Sequence, residues 1–567
     1  MSLGKQWQRP GWPIILVGAL LIGMGAFWTS ASLMGFLRGE TAVLTPDLLA
    51  GAAYLRIGLV LLGLIILALA GLPIWEKEEA EERDGRSPQI RLLLIALLVV
   101  SFLIRLIQLG DGLWIDEILT YLEFARLPFG ELITTYPTEN QHFLFSILAH
   151  ASFTIFGESG WALRLPAVLF GVASIWALFQ FGRTVANERE GILAAALLAF
   201  SYHHVWFSQN ARGYSGLLFW TILASWLLLR ALDNDNARRW LWYAIAAALG
   251  MYTHMTMMFV IFAHAVIYLL RLYRRRREVW PGRWFGLWLG FPLTAFLIYL
   301  LYAPVLPQLF NTISATQSVV AEWRNPLWTV MELINGIMVS FAGGIVVLGW
   351  IMVFVALSLF TVGLVSTWRS NDSVLFLLFV PSVVGGGLTV AMGHHLWPRF
   401  FLFTFGFAAL VVVRGVLVTG GWLAQRLKQP PARAAQIGVA LCAAMILASA
   451  VSVVFAFGPK QDYEGALAYV AAHQQPGDKV AAIHITGNVY RNFYEMDWVD
   501  LESLADLQSL ENGTGRVWVV YTFKPVLRSK FPEVMQAIED DFELMEAFPG
   551  SVRQGTVFVS VREGASS

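Results

Sequence analysis

Long apolar runs fill most of the first 457 residues and constrain the fold more than any other feature of the chain. A transmembrane helix needs about 20 consecutive apolar residues, because the hydrocarbon core of a bilayer is about 30 Å thick. Runs of this kind, together with a shorter one at 259–272 that returns the chain, predict about 13 transmembrane helices. The longer runs lie at 13–36, 51–74, 91–109, 164–183, 191–207, 212–230, 241–258, 284–303, 344–367, 373–392, 400–423 and 436–457.

The composition agrees with a polytopic membrane protein. Hydrophobic residues make up 57% of the chain and charged residues 14%, with a mean hydropathy of +0.61. These values exclude an ordinary soluble protein. The first run has no small-residue cleavage site and is interpreted as a retained helix rather than a signal peptide. The single cysteine, Cys442, lies within an apolar run, which excludes a disulfide framework or a thiolate metal site.

The end of the chain has a different character. The formal net charge is zero, but from Lys460 onward 16 acidic and 9 basic residues give −7, so the first 459 residues carry +7. Alternating helix and strand patterns there predict one small soluble α/β domain. It lacks a phosphate-binding glycine loop, a metal-ligand cluster and a nucleophile motif, so binding or positioning is expected of it. The predicted division is 1–90, 91–457 and 458–567: two helices with a cytoplasmic loop, the main transmembrane domain, and the α/β domain.

Successive loops are alternately rich and poor in lysine and arginine, and this bias predicts the orientation of the chain in the membrane. Cytoplasmic loops are rich in these residues, so the N-terminus is placed inside, and Asp116, Glu117 and residues 458–567 outside. The RRRR run at 274–277 is interpreted as part of this bias rather than as a nucleic-acid or anionic-lipid site. The inside segments hold Lys5, Arg9, Lys77, Arg83, Arg86, Arg91, Arg183, Arg189, Arg238, Arg239, Arg271, Arg274–Arg277, Arg283, Arg369, Arg426, Lys428 and Arg433, against Arg38, Arg126, Arg164, Arg324 and Arg399 outside.

Asp116 and Glu117 follow an apolar run within about two helical turns. Carboxylates beside a bilayer are costly unless they are functional or fully in water. Apolar neighbours flank this pair (Trp114, Ile115, Ile118), so it is not a simple solvated loop. A carboxylate at the boundary is suited to removing a proton from a substrate hydroxyl.

Four further polar clusters fall near outer helix ends. Each alone could be an interfacial anchor of aromatic and basic residues. Zinc is a weaker alternative at the two His-His pairs, since adjacent histidines rarely point at one ion, and no metal or cofactor is predicted. Together with the acidic pair, however, the clusters supply three arginines on one face, and arginine pairs well with phosphate. The clusters are TENQHFLF (138–145), ahead of a 14-residue apolar run that could lie along the membrane surface, LRLPAVLFG (163–171), with Arg164 just before a helix and Pro166 in its first turn, SYHHVWFSQNARGYS (201–215) and HHLWPRF (394–400).

Over residues 90–420 the chain resembles the GT-C superfamily of polyprenyl-phosphate-sugar glycosyltransferases. The nearest branch holds the protein O-mannosyltransferases, the lipid A aminoarabinose transferase and the RgtA/B/C/D-like proteins. The order and sidedness of the motifs carry the resemblance more than any one of them, and the His-Pro-Pro-Leu motif is matched only in part. The matched residues are Asp116 and Glu117, His142 (with Phe143 replacing proline), Arg164, Pro166, Ala167 and Gly171, Gln209, Ala211, Arg212, Gly213 and Tyr214, and Pro398, Arg399 and Phe400.

The resemblance implies direct, inverting transfer of a hexosyl or pentosyl group from a lipid phosphate to an acceptor hydroxyl. Asp116 would be the general base, and Glu117 would orient it or a nearby arginine. The donor would bind through Arg164, Arg212 and Arg399, with His142, Gln209 and Tyr214 as further substrate-binding residues.

Two other classes stay open at the sequence level. A transporter or lipid flippase would usually bury ionisable residues near the bilayer midplane, whereas these helix interiors are nearly free of charge. A structural or sensory protein would leave the outer arginines without a role. The sugar is open, as is the acceptor (lipid, glycan or protein), and no nucleic-acid partner is expected.

Overall fold

The computed structural model describes residues 12–70, 87–275, 284–315, 320–342, 346–511, 515–552 and 554–564, and helices make up most of the described part before residue 457. Lys5, Arg9, the basic residues of segment 77–86, Arg276, Arg277 and Arg283, all used to predict orientation, lie outside the described residues. The helices before the last domain are α1 Trp12–Phe27, α2 Ser30–Arg38, α3 Pro46–Ala70, α4 Pro88–Leu106, α5 Ile115–Thr120, α6 Phe129–Leu132, α7 Phe143–Phe156, α8 Gly160–Val185, α9 Glu188–Ala199, α10 Tyr202–Ser208, α11 Tyr214–Asp233, α12 Ala237–Thr253, α13 Met257–Arg275, α14 Phe291–Tyr302, α15 Leu306–Ala315, α16 Pro326–Ala342, α17 Val346–Ser370, α18 Ser373–Ala391, α19 Phe405–Arg426 and α20 Pro431–Ser452.

Within the described ranges, ten helical segments are long and apolar enough to cross a membrane, or up to twelve when each bent pair counts as one span. The predicted architecture, a polytopic helical membrane protein, is confirmed. The predicted number, about 13, is slightly high. The predicted span at 241–258 corresponds to α12, which has only 17 residues and carries Arg238 and Arg239 in its first turn.

The predicted helix at 13–36 is in fact two helices. The axes of α1 and α2 differ by 112°. Thr29 explains the break, because its side chain accepts a hydrogen bond from Ser32 N and caps the start of α2. The apolar run at 191–207 is broken in the same manner, since α9 and α10 are bent by 64°.

Helix α8 begins earlier than predicted. Ser159 caps its N-terminus, and the helix starts at Gly160. Arg164 therefore lies inside the helix rather than before it, and Pro166 lies beyond the first turn. The earlier start follows from the Ser159 hydroxyl, which accepts a hydrogen bond from Ala162 N.

The described residues from Tyr463 onward form the predicted small α/β domain. Its five-stranded sheet has the order β2-β1-β3-β5-β4. β2, β1 and β3 are parallel, whereas β5 pairs antiparallel with β3 and β4. The elements are α21 Tyr463–His473, β1 Lys479–Ile483, α22 Ile485–Asn492, β2 Val499–Leu501, α23 Leu504–Glu511, β3 Val517–Tyr521, α24 Lys524–Lys530, α25 Pro532–Asp541, β4 Glu543–Phe548 and β5 Val557–Arg562.

One face of this sheet shares a hydrophobic core with the loop that carries the acidic pair. Trp114 and Ile118 are buried in the same cluster as Tyr490 and Trp518. The opposite face packs on α23 and α25 through its own cluster. The α/β domain therefore sits directly on the part of the helical bundle that holds the predicted site.

Candidate functional site

Short breaks between helices meet at one end of the bundle and bring the predicted site residues together. The backbone N–H of Ala211 donates to Glu117 Oε1 at 2.7 Å, and that of Gly213 donates to His142 Nδ1 at 2.8 Å. Arg399 Nη1 donates to Asp116 Oδ2 at 3.1 Å. Residues separated by more than 280 positions in the chain thus belong to one polar cluster.

Asp116 and Glu117 occupy the first turn of α5, where carboxylates interact favourably with the helix dipole. Successive residues of a helix point in directions about 100° apart, because a turn contains 3.6 residues. The two acids accordingly have different surroundings, and the structure assigns them different partners.

Glu117 is fully buried and paired with Arg164. Arg164 Nε and Nη2 donate to the two carboxylate oxygens at 2.8 and 2.6 Å. Burial alone would raise the pKa of Glu117, but the positive charges of Arg164 and Lys460 more than offset it and hold that pKa below its usual value. Glu117 is therefore an ionised group whose oxygens already have partners.

Arg164 also has all of its N–H donors engaged. Besides the two bonds to Glu117, Nη1 donates to the carbonyls of Leu109 and Asp111 at 2.9 and 2.7 Å, and Nη2 donates to that of Gly112 at 2.9 Å. A guanidinium has five N–H donors, so none is left for a ligand. The structure gives Arg164 the role of fixing the loop before α5.

Asp116 and Arg399 form a second pair, which is less enclosed. Their side chains are 13% and 27% exposed, against 0% and 3% for Glu117 and Arg164. The Arg399 guanidinium lies over the rings of Trp397 and Trp114, at 5.0 and 5.9 Å from their centroids. Arg399 Nε is buried and has no hydrogen-bond partner among the described residues.

Arg212 lies in the turn between α10 and α11 and contacts only neutral acceptors through hydrogen bonds in the described structure. Nη1 donates to Thr120 Oγ1 and to the Asn140 carbonyl at 3.0 and 2.8 Å, and Nη2 donates to Asn140 Oδ1 at 3.0 Å. Its Nε is also buried without a partner there. A buried donor without an acceptor calls for an explanation, and a bound anion is one.

His142 and Tyr214 lie beside the turn that carries Arg212, because Gly213 N donates to His142 and Tyr214 is the next residue along the chain. The His142 ring is 5.6 Å from the Tyr214 ring and 4.7 Å from that of His254. Burial, with the nearby charges of Arg212 and Arg399, lowers the pKa of His142 well below its usual value, so the ring is neutral. Since Nδ1 accepts from Gly213 N, the remaining proton is on Nε2, which is a donor.

Gln209, by contrast, acts on the backbone of the preceding span. Its Nε2 donates to the carbonyls of Arg105 and Ile107 at 3.1 and 2.6 Å. Both amide hydrogens are thus engaged, and Gln209 holds the end of α4 in place.

Three residues of this cluster were not predicted. His254 lies at the break between α12 and α13, inside the apolar run predicted to continue to 258; the polar residues Thr253 and Thr256 beside it are the signal for that break. Lys460 and Gln461, at the entrance to the last domain, are buried and contact the site. Lys460 Nζ donates to the Gln209 carbonyl at 2.8 Å, and nothing local in the sequence indicates this.

The His-His pairs do not converge. His204 contacts Arg105 and Ser174 through its two ring nitrogens, at 2.8 and 2.9 Å. The His395 ring lies beside Trp397 and Phe400. In the part of the chain that the structure describes, no group of three or more His, Cys, Asp or Glu residues could hold a metal ion.

Comparison with known proteins gives a family match inside the helical domain. The family model described as dolichyl-phosphate-mannose-protein mannosyltransferase matches residues 140–307, a segment that includes His142, Arg164, Gln209, Arg212 and Tyr214. The match confirms the resemblance seen in the sequence, and with it the predicted class, a membrane glycosyltransferase, over a transporter. No curated protein sequence matches the chain.

Several solved structures are similar at low sequence identity. ArnT from Cupriavidus metallidurans in the apo state is 12% identical, with 83% of this chain and 98% of that chain aligned and a TM-score of 0.47. The oligosaccharyltransferase AglB from Archaeoglobus fulgidus is 12% identical over 83% of this chain and 74% of its own, with a TM-score of 0.48. The arabinosyltransferase EmbB from Mycobacterium smegmatis is 13% identical over 78% and 47%, with a TM-score of 0.42.

Proposed function

We propose that this chain, a membrane glycosyltransferase similar over residues 140–307 to the dolichyl-phosphate-mannose-protein mannosyltransferases, transfers a sugar from a polyprenyl phosphate to an acceptor hydroxyl. The reaction inverts the anomeric carbon, and Asp116 is its general base. The matched family's description supports a lipid-phosphate-linked sugar as the donor. The proposal also places the active site on the side of the membrane that faces away from the cytoplasm, on the basis of the lysine and arginine bias of the loops.

One observation carries the proposal: Arg212 and Arg399 each have a buried Nε atom without a hydrogen-bond partner among the described residues, and both arginines belong to one small polar cluster. Gly213, which follows Arg212, donates to His142 Nδ1. The ring of Phe400, which follows Arg399, lies 6.5 Å from that of His254, and the His254 ring is 4.7 Å from that of His142. Arginine forms short, charge-assisted hydrogen bonds with phosphate oxygens. A donor phosphate bound here would satisfy both Nε atoms and place the anomeric carbon near Asp116.

The roles of Asp116 and Glu117 follow from the hydrogen bonds that each carboxylate already makes. Glu117 already accepts from Arg164, Ala211 N and Trp114 N. Asp116 has one side-chain hydrogen bond in the described structure, to Arg399, and a partly exposed side chain. We therefore keep Asp116 as the base and make Glu117 a positioning residue.

The reaction follows from this arrangement. Asp116 takes the proton of the acceptor hydroxyl while the hydroxyl oxygen forms a bond to the anomeric carbon. The bond from that carbon to the phosphate oxygen breaks, and its electron pair stays on the leaving lipid phosphate. Arg212 and Arg399 stabilise the negative charge that develops there. His142 Nε2–H and the Tyr214 hydroxyl are available as neutral donors to the phosphate or the sugar.

Two residues expected at the donor change role. Arg164 has no free N–H, and both amide hydrogens of Gln209 are bound to backbone carbonyls. We propose that both residues shape the site without contacting the substrate. The donor site is accordingly smaller than the sequence indicated and consists of Arg212, Arg399, His142 and Tyr214.

The test uses the full-length chain in detergent with a panel of polyprenyl-phosphate sugars and a mixture of lipid, glycan and peptide acceptors. We expect one donor to yield free polyprenyl phosphate together with a glycosylated acceptor of inverted configuration. Asp116→Asn is the matched negative control, because it is nearly isosteric. Retained configuration, or transfer that survives in Asp116→Asn, would contradict the mechanism.

A further inference from the structure

We propose that Lys460 and Gln461 position the Asp116 turn, and that through them the C-terminal α/β domain is a working part of the active site. These two residues, here called the strap, join the last span to the α/β domain. The inference rests on the proposed function, and it adds a role for a domain to which that function assigns none.

Gln461 bridges the turn and the domain with one buried side chain. Its Oε1 accepts from Ile115 N at 3.1 Å, immediately before Asp116. Its Nε2 donates to the Gly555 carbonyl at 3.1 Å and to Thr522 Oγ1 at 3.4 Å, both in the domain. The Gln461 amide therefore connects the first turn of α5, which carries Asp116, to the end of β3 and the start of β5.

The bond to Ile115 meets a specific need of α5. The first N–H groups of a helix have no partner within it and must be capped. Trp114 precedes the helix and its ring has no acceptor oxygen, so the side chain of Gln461 supplies the acceptor for Ile115 N from a distant part of the chain. Loss of this bond leaves the start of α5, and the direction of the Asp116 carboxylate, less well defined.

Lys460 joins the strap to α10 of the helical bundle. Its Nζ donates to the Gln209 carbonyl and lies 5.5 Å from the centroid of the Trp206 ring. Its own carbonyl accepts from Val552 N at 3.0 Å, in the domain. Burial lowers the pKa of Lys460 to about 8, although the negative charge of Glu117 opposes that change.

Two further contacts join the helical bundle to the α/β domain. Trp206 Nε1 donates to Ser551 Oγ at 2.8 Å, and the rings of Tyr121 and Phe493 are 5.9 Å apart. The first of these contacts adjoins the strap, because Trp206 lies beside Lys460 and Ser551 N donates to the Pro459 carbonyl at 2.9 Å. Contacts that fix the position of a reacting group matter for turnover, because displacing that group by about 1 Å can lower the rate roughly a hundredfold.

The test compares Gln461→Met with Gln474→Met, a matched change at an exposed glutamine just after α21. Turnover, donor affinity and amide hydrogen exchange of residues 109–120 are measured on the full chain in detergent. For Gln461→Met we expect turnover per folded molecule to fall about tenfold or more. Donor affinity should stay within about twofold, because Gln461 touches none of the proposed phosphate ligands.

Hydrogen exchange separates failure of this inference from failure of the proposed function. Exchange at 109–120 should be faster in Gln461→Met and unchanged in Gln474→Met, whatever the substrate. Unchanged exchange, or faster exchange with normal turnover, would overturn the inference. If the wild type transfers no sugar, the proposed function fails, and exchange alone decides whether the strap fixes the turn.

A second variant covers the case in which Gln461→Met does not fold. Gln461→Glu keeps an acceptor for Ile115 N but loses both donations to the domain. If the domain acts through the strap, this variant also shows faster exchange and lower turnover. Wild-type exchange and turnover in Gln461→Glu would show that the domain is not coupled to the base.

Discussion

At the scale of residues, the charged side chains of the site fall into two groups, those whose hydrogen bonds are all made within the protein and those with unused capacity. Glu117 and Arg164 form a buried pair in which every guanidinium N–H is used. Asp116, Arg212 and Arg399 each retain capacity that the described protein does not use. Sequence motifs cannot make this distinction, because they show which residue types are present and not which hydrogen bonds are already made.

The two acids should therefore respond differently to amide substitution. Asp116→Asn should lower turnover by roughly 10²–10⁴-fold with little change in thermal stability, because it removes a general base. Glu117→Gln should lower the free energy of unfolding by about 3–5 kcal/mol, because Arg164 would be buried without its counter-charge. Turnover and thermal unfolding of both variants, measured in one detergent, would check this; equal effects on stability would contradict it.

The arginines should divide in the same manner. Lysine cannot reproduce the planar fork of a guanidinium, so Arg212→Lys and Arg399→Lys should weaken donor binding by roughly ten- to a hundredfold. Arg164→Lys should mainly reduce stability. Arg528→Lys, at an exposed ion pair of the α/β domain, is the control. Titration with a polyprenyl phosphate would measure the affinities; wild-type affinity in both Arg212→Lys and Arg399→Lys would remove the phosphate site.

At the scale of elements, apolar length predicts where helices occur but not where they break. Thr29 divides one predicted span into α1 and α2 by capping the second, and Ser159 starts α8 before Arg164. Both caps are visible in the sequence as hydroxyl residues before an apolar run. His254 was missed because apolar residues on either side, Met251 and Met257, continue the run across the break.

The α/β domain offers a prediction on acid stability at the edge where β1 and β3 begin. Burial acts against the charge of Asp478, but hydrogen bonds from Arg516, Gln475 N and Trp518 lower its pKa to about 2. An aspartate in an unfolded chain has a pKa of about 3.9. The ionised form thus stabilises the folded domain above about pH 4, and this stabilisation is lost as the pH falls towards 2.

Asp478→Asn should accordingly flatten the dependence of stability on pH between 4 and 2. Amide hydrogen exchange of the α/β domain within the full chain, measured at each pH, is a suitable measurement, because protection from exchange reports the stability of one part of a structure. Asp497→Asn, at an exposed acid of the same domain, is the control. A pH dependence in Asp478→Asn as steep as in the wild type would refute the assignment.

At the scale of the whole molecule, the sequence predicted the two-part architecture but not how its parts meet. The change in charge near Lys460 predicted where the second part begins, and the first helix of the sheet-containing part, α21, starts at Tyr463. The contact from Gln461 to Ile115 spans 346 positions, and no local pattern encodes a bond between residues so far apart. The order of the motifs predicted that Asp116, Arg212 and Arg399 lie on one face. This prediction was possible because alternating spans carry each of these loops to the same end of the bundle.

The orientation of that bundle is the prediction on which the location of the reaction depends. Single cysteines at Asp497 and Lys428, both exposed, lie in the α/β domain and in the basic loop between α19 and α20. Native Cys442 is buried and should stay unlabelled. With intact cells, a membrane-impermeant maleimide should label Asp497→Cys, and it should label Lys428→Cys only after permeabilisation. Because the strap seats the domain on Asp116, labelling at 497 also reports the side of the base. The reverse pattern would move the proposed reaction to the cytoplasmic face and leave the architecture of the site unchanged.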